Sequence, residues 1–307
     1  MSTWYRPDGL AAAVEFLAEH KDKPQIIQGG TDVMVGRGRG IGDEKSWLDL
    51  SGITELRELH EEADGTLSIG AGVSLARLQA DPRVQHNWPN LASSASQTGA
   101  PAIQNRATLG GNICNASPAA DNAPALLAYD AELEIIGPQG RRRLPYRHFH
   151  LAYRRTSLEP DELLARILLP PMRTDLCHYY RKVGARAAQA IAKLGLAAVL
   201  HWTSEGTIAW ARFAFSSVAA TPQLAANLEI ALRGKNKEHI SLAEIQGILV
   251  KDIAPLSDIR SSDSYRLEVA GRLVWEALQT PITRSTQELS HGSHGKTDNR
   301  CTVSGCD

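Results

Sequence analysis

A short apolar run, Gln25-Ile26-Ile27, empties into Gln28-Gly29-Gly30-Thr31-Asp32-Val33, and a second glycine pair with a neighbouring hydroxyl and amide stands at Thr108-Leu109-Gly110-Gly111-Asn112. Paired glycines let backbone N–H groups turn outward and approach an anion closely. That is phosphate chemistry. Either loop alone would also serve as an ordinary tight turn, but two of them could clasp both phosphates of a dinucleotide. Neither carries the Gly-Lys-Ser/Thr of a P-loop or the Gly-x-Gly-x-x-Gly of a Rossmann turn, so a different dinucleotide fold is indicated. The second loop runs on through Asn115, Ser117 and Asp121, poor in charge and rich in small donors, a composition that marks functional loops. A carboxylate such as Asp121 suits hydroxyl groups that donate to it. Arg181, Lys182, Arg186 and Lys193 read from the residues alone as a solvated basic face. Cys114, inside the second loop, reads as a small hydrophobe and not as a redox thiol.

The elements that must position these loops alternate. Leu10, Ala13, Val14 and Leu17 recur at helical spacing behind Asp8 as a cap, and Lys23-Pro24 ends that helix before the strand 25–27. Further strands are expected at 47–50 and in a hairpin over 56–70 turning at Asp64-Gly65, then helices at 75–80 and 91–98. The stretch 108–121 is too polar for an element. A helix at 122–129, strands at 132–136 and through Arg143, and an apolar segment 163–169 follow, and a domain boundary is placed after Pro170-Pro171. Beyond it, strands at 194–202 and 207–218 and helices near 222–232, 241–252 and 263–278 form a second α+β domain. Trp4, Trp47, Trp88 and Tyr129 are expected to be packing aromatics. The organisation is thus 1–175, 176–280 and a tail, 281–307, with too few aliphatics to order itself.

Composition narrows the classes. With 33 Lys plus Arg against 34 Asp plus Glu and a net charge of −1, nothing invites nucleic acid, and 43% hydrophobic residues suffice for a real core. No run approaches the roughly 18 to 20 apolar residues of a membrane span, and no apolar leader opens the chain, so a cytoplasmic location is expected. Four scattered cysteines are expected to be reduced. His291, His294, Cys301 and Cys306 in the tail are legal zinc ligands at a spacing that fits no standard finger, so no metal site is expected.

Taken together, Gly29-Gly30-Thr31-Asp32, the long motif from Asn105-Arg106-Ala107-Thr108 to Asp121, Arg181-Lys182-Val183-Gly184 and Gln189-Ala190-Ile191-Ala192-Lys193 resemble the FAD-binding medium subunit of the molybdenum hydroxylases, the family of xanthine and carbon monoxide dehydrogenases. The resemblance covers about residues 1–280 in order. It implies an α+β chain: a two-part FAD-binding domain of the vanillyl-alcohol-oxidase (PCMH) type, then the smaller α+β domain typical of carbon monoxide dehydrogenase flavoprotein subunits. It also implies that Gln28, Gly29, Gly30, Thr31, Asp32 and Val33, with Thr108, Gly110, Gly111 and Asn112, hold the pyrophosphate in an uncharged, donor-rich cradle. Asn115 and Asp121 would contact the ribose and neighbouring diphosphate or adenosine groups, and Leu164 and Lys182 would lie near the flavin ring. There a cation stabilises the anionic reduced form. The position before Gly99, aromatic in some relatives, is Thr98 here, and no cysteine-rich insertion for a four-iron cluster is present.

The implied activity is electron transfer in a three-subunit dehydrogenase. A molybdopterin-binding large subunit hydroxylates the substrate, a two-iron ferredoxin-like small subunit relays electrons, and FAD in this chain passes them to NAD or another acceptor. The chain has no compact set of four cysteines for iron–sulfur clusters, so partners are required. No side chain here need act as a general acid or base. The rival readings are a self-contained FAD-dependent oxidase or reductase of the same superfamily and a flavin-free scaffold.

Overall fold

The computed structural model describes residues 3–20, 24–38, 46–186 and 189–279. Three layers of sheet follow one another along the chain. Strand β1 (Thr3–Tyr5) leads into helix α1 (Leu10–Glu19), β2 (Gln25–Ile27), α2 (Thr31–Arg37) and β3 (Ser46–Asp49). These strands form a parallel sheet ordered β1-β3-β2, with β3 buried along its whole length. α1 buries Leu10, Ala13, Val14, Phe16 and Leu17, the stripe its periodicity requires. Its N-cap is Gly9, without a side-chain bond, so Asp8 does not cap it.

The second layer takes β4 (Leu59–Glu61) and β5 (Leu67–Gly70), a hairpin turning through Gly65 at φ +84°. Six short helices follow: α3 (Leu75–Ala80), α4 (Pro82–Asn87), α5 (Pro89–Ser96), α6 (Pro101–Gln104), α7 (Leu109–Cys114) and α8 (Ala123–Ala128). β6 (Glu132–Gly137), β7 (Gly140–Pro145), a small hairpin of β8 (His150–Ala152) and β9 (Arg155–Thr156), and β10 (Leu163–Leu169) complete the layer. Its five-stranded antiparallel sheet is ordered β4-β5-β10-β6-β7, with β10 at the centre. A register shift in β10 between Leu164 and Arg166 frees the Ala165 carbonyl to accept from Ala71 N at 2.9 Å.

The third sheet comprises β11 (Leu176–Val183), β12 (Leu194–Trp202), β13 (Ile208–Ser216) and β14 (Gln223–Leu224), backed by α9 (Ala226–Leu232), α10 (Leu242–Leu249) and α11 (Asp263–Gln279). Strand alternation divides its two faces. Leu194, Leu196, Ala198 and Leu200 pack with Phe213 and Phe215 into a core shared with the helices, whereas Ala197, Val199 and Ala214 belong to the core of the preceding layers. Small residues on that second face let the sheet approach the body of the chain closely. Asn90 Nδ2 donates to Ala198 O at 2.9 Å, fastening the contact.

Trp47, Trp88 and Tyr129 are buried as expected, but Trp4 is half exposed, stacked on Trp47 at 5.6 Å between ring centroids. The stretch after Thr108, expected to be irregular, contains α7: Leu109 and Ile113 go into the core and a glycine pair is tolerated because Thr108 caps the turn. The segment 180–193, expected to be a basic run, opens inside strand β11, whose first two residues, Leu176 and Cys177, are buried. The tail 281–307, with its expected disorder and its four candidate zinc ligands, lies outside the described residues.

Candidate cofactor site

The two glycine loops meet. β2 ends at Ile27, one residue before Gln28, and Gly30, at φ +77°, turns the chain into α2 in a left-handed conformation that favours glycine. A Cβ on Gly29 would land on the Arg106 carbonyl, so only glycine permits the first loop to lie against the segment that enters the second. Arg106 Nε donates to Gly29 O at 3.2 Å, and Asn115 Nδ2 donates to Asp32 Oδ2 at 3.1 Å.

The second loop is held from below. Leu109 N and Gly110 N donate to Val73 O and Ala71 O at 3.0 and 2.9 Å, and a Cβ on Gly110 would sit 2.6 Å from Ala71. Ala71 N in turn donates to Ala165 O, next to the buried Leu164, so the strand implied to lie near the flavin ring and the glycine loop share one backbone bridge. Thr108 Oγ1 accepts from Gly111 N at 3.0 Å. Gly111 itself is exposed; a Cβ there would meet only the Thr108 hydroxyl, and its backbone is not left-handed. Asn112 Oδ1 accepts from Asn122 Nδ2 at 3.1 Å, and Asn122, fully buried, also accepts from Ser94 Oγ at 2.9 Å and donates to Thr98 Oγ1 at 3.3 Å.

Beyond Asn122 the two halves of the chain touch through charges. Lys182, from β11, donates to Asp121 Oδ2 at 2.6 Å and to Gln97 O at 2.9 Å, with both charged side chains about nine-tenths buried at 8% and 10% exposure. Tyr180 OH donates to Asp121 O at 3.1 Å, and Ser217 N to Pro118 O at 2.8 Å, so the third sheet fastens the loop at three points. Burial pushes the Asp121 carboxyl up to about 6, against the attraction of the Lys182 ammonium. The solvated-face reading of Lys182 is therefore corrected: a strand, not a surface run, carries it inward. Burial alone pushes the Cys114 thiol up to about 12, which leaves it protonated and unreactive at neutral pH.

Two buried oxygens in this region accept no hydrogen bond, Gln28 Oε1 and Asp121 Oδ1; the Thr98 hydroxyl, beside Asp121, is already donated to Ser94 O at 2.8 Å. Unpartnered buried acceptors are costly unless a ligand supplies donors. A cavity of about 320 Å³ opens on the first loop, lined by Gln28, Gly29, Thr108, Arg57, Arg77 and Arg106. The cradle is thus not uncharged: three arginines drawn from separate segments converge on it, and sequence alone does not show that convergence. Asn122, Gln97 and Tyr180 were likewise not singled out, although Asn122 follows Asp121 directly and opens an otherwise apolar helix. Glycines closed on one side by protein, free acceptors and cationic side chains suit a phosphate-bearing, hydroxyl-rich ligand such as FAD. Among the described residues no three His, Cys, Asp or Glu side chains gather as a metal site, and no helix is long and apolar enough to cross a membrane.

Paired glycine loops between a parallel and an antiparallel sheet, closed by a second α+β unit, define a dinucleotide-binding flavoprotein of non-Rossmann type. Residues 1–172 match the family model described as FAD binding domain in molybdopterin dehydrogenase, and residues 178–280 that of the CO dehydrogenase flavoprotein C-terminal domain; the chain belongs to this family of FAD-binding oxidoreductase subunits. It is 33% identical over 291 residues to the xanthine dehydrogenase FAD-binding subunit of Escherichia coli O157:H7, covering 94% of this chain and 98% of that one. It is 28% identical over 283 residues to the carbon monoxide dehydrogenase medium chain of Hydrogenophaga pseudoflava, covering 92% and 97%. A solved structure of carbon monoxide dehydrogenase from the same organism superposes with a TM-score of 0.84 at 28% identity, covering 90% of this chain and 96% of that one. The expected family, fold class and FAD cofactor are borne out.

Proposed function

We propose that this chain is the electron-exit subunit of a cytoplasmic, heterotrimeric molybdenum hydroxylase of the xanthine dehydrogenase type. A molybdopterin-binding large subunit hydroxylates the substrate, a two-iron ferredoxin-like small subunit relays the electrons, and NAD or another acceptor receives them here. FAD, when bound, takes electrons singly and releases them as a pair. Gln28 to Val33 and Thr108 with Gly110, Gly111 and Asn112 hold the pyrophosphate; Asn115 contacts the ribose and neighbouring groups; Leu164 walls the ring, and Lys182 supplies positive charge beside it, with Asp121, 2.6 Å away, accepting from hydroxyl groups on the same side. The observation that carries the reading is the convergence of both glycine loops and the Asp121–Lys182 pair on one site that contains unpartnered acceptors but no nucleophile activated by a neighbouring base.

The test is direct. The full chain purified alone is expected to be yellow, to release intact FAD on acid precipitation, and to accept electrons from NADH or an artificial reductant without oxidising purines, aldehydes or N-heterocycles. Hydroxylation is expected only after reconstitution with the molybdenum and two-iron subunits. A colourless folded chain would refute the cofactor assignment; substrate turnover by the isolated chain would replace this reading with the self-contained oxidase.

A further inference from the structure

We propose that Asp121 is a positioning residue for Lys182: its carboxylate reaches across the boundary between the two halves of the chain and fixes the ammonium at the flavin site, so that the two side chains act as one unit. The proposal rests on the FAD reading above. Its geometry does not. The ammonium has three donors, and two are committed, to Asp121 Oδ2 at 2.6 Å and to the Gln97 carbonyl at 2.9 Å. Those two acceptors belong to the first half of the chain and the lysine to the second. The main chain that carries the carboxylate is itself held: Tyr180 OH, two residues before Lys182 on the same strand, donates to the Asp121 carbonyl, and Ser217 N donates to Pro118 O three residues upstream. A lysine on a flexible four-carbon stem occupies many rotamers unless something holds its head; here two acceptors do, inside a region where both side chains are about nine-tenths buried.

The second oxygen of Asp121 is buried, and the one hydroxyl beside it, that of Thr98, gives its proton to Ser94 O. In a pair whose purpose was stability alone, both oxygens would be satisfied within the protein, because leaving one bare is costly. A free acceptor beside a lysine with one uncommitted donor is instead a two-point contact, ready for a ligand that carries a donor and an acceptor.

Positioning and simple proximity of charge predict opposite signs, which makes the idea decidable. A cation near the flavin favours the anionic reduced form, so Lys182→Met is expected to lower the midpoint potential of the bound flavin. If Asp121 were merely a nearby negative charge, Asp121→Asn would raise that potential. If Asp121 positions the ammonium, Asp121→Asn frees it to swing away and the potential falls, as in Lys182→Met. The full-length holoprotein is titrated spectroelectrochemically for wild type, both single variants and the double variant, with Asp121→Glu as the conservative control. The expected result is a fall in both single variants, a double variant no lower than Lys182→Met, and partial recovery in Asp121→Glu. A raised potential in Asp121→Asn, additive shifts in the double variant, or flavin lost in Asp121→Asn but kept in Lys182→Met would overturn the proposal. Should both neutral variants bind FAD too weakly for titration, the dissociation constants decide: losses that fail to multiply in the double variant support one unit, and losses that multiply refute it. A wild-type chain that binds no FAD would instead refute the cofactor assignment and leave the cross-boundary contact untouched.

Discussion

Helix α2, which continues the first glycine loop, buries none of its side chains and leaves Met34 and Val35 59% and 53% exposed, whereas α7, which continues the second, puts Leu109, Gly110 and Ile113 into the core. The first loop is attached to the rest of the site at its edges, through Arg106 to Gly29 O and Asn115 to Asp32. The second is bonded to Ala71 and Val73 just after β5, with Ala71 tied in turn to Ala165 of β10, capped by Thr108, braced by Asn122 and fastened to the third sheet through Asp121. Two loops of similar composition therefore differ in rigidity. The second is a built surface, and the first is a flap of backbone set against it, with its register fixed by one glycine that cannot carry a side chain.

The sharpest way to break this comparison is the same substitution at two glycines. Gly29→Val drives a side chain into the Arg106 carbonyl, so the loops must part; loss of FAD and a destabilisation of ~3 kcal/mol are expected, read from flavin content and denaturant unfolding. Gly111→Val places its side chain in the open, where only the Thr108 hydroxyl is near, so FAD is expected to be lost while apo stability changes by no more than about 1 kcal/mol. Equal destabilisation at both positions would mean that the second loop is closed by protein and not by ligand.

Next in size is Asn122→Ala. It strips partners from Ser94, Thr98 and Asn112 in a fully buried network, at an expected cost of ~2 kcal/mol in apo stability together with weaker FAD binding. A stability loss with unchanged affinity would show that the second loop does not need this brace to hold its ligand. Thr108→Ala removes only the cap of a short helix whose Leu109 and Gly110 N–H groups also bond to Val73 and Ala71, so about 1 kcal/mol is expected, with a modest rise in the FAD dissociation constant. If Thr108→Ala proved as damaging as Asn122→Ala, the cap and not the buried network would be what orders the loop.

Both loops were legible in the sequence because glycine pairs beside hydroxyls are local features, and so were the strands and helices whose apolar period is strong. Contacts made at long range were not. Arg57, Arg77 and Arg106 come from separate elements, and nothing local says that they share a cavity with Gln28. Lys182 sits among other basic residues and looks solvated until β11 pairs with β12 and turns it toward Asp121. α7 escaped notice because two glycines lower its intrinsic propensity; tertiary bonds from Leu109 and Gly110 supply what propensity lacks. The cap expected at Asp8 failed for a smaller reason, since the helix begins one residue later, behind Gly9.

The last and smallest effect sharpens the comparison through pH. Asp32, in the first loop, is exposed; Asp121, in the second, is buried, and its carboxyl is pushed from 3.8 up to about 6, chiefly by burial. Because that value lies above the unfolded one, the folded chain holds the proton to higher pH than the unfolded chain does. Between about 3.8 and 6 the folded state therefore binds more protons, and this group's contribution to stability is present at the acid end and declines as pH rises through that window. His150 and His178 act in the opposite sense, since burial lowers both to about 4 and their contribution is lost as pH falls below the ordinary histidine value of 6.5. The wild-type profile mixes the two trends, but the difference between wild type and Asp121→Asn isolates the first. Measured by urea unfolding of the apo chain, that difference is expected to move against the wild type as pH rises from 4 to 6 and to level off above. A difference that moved in favour of the wild type over the same range would mean that attraction to Lys182 outweighs burial, and that the pair is ionised well into acid.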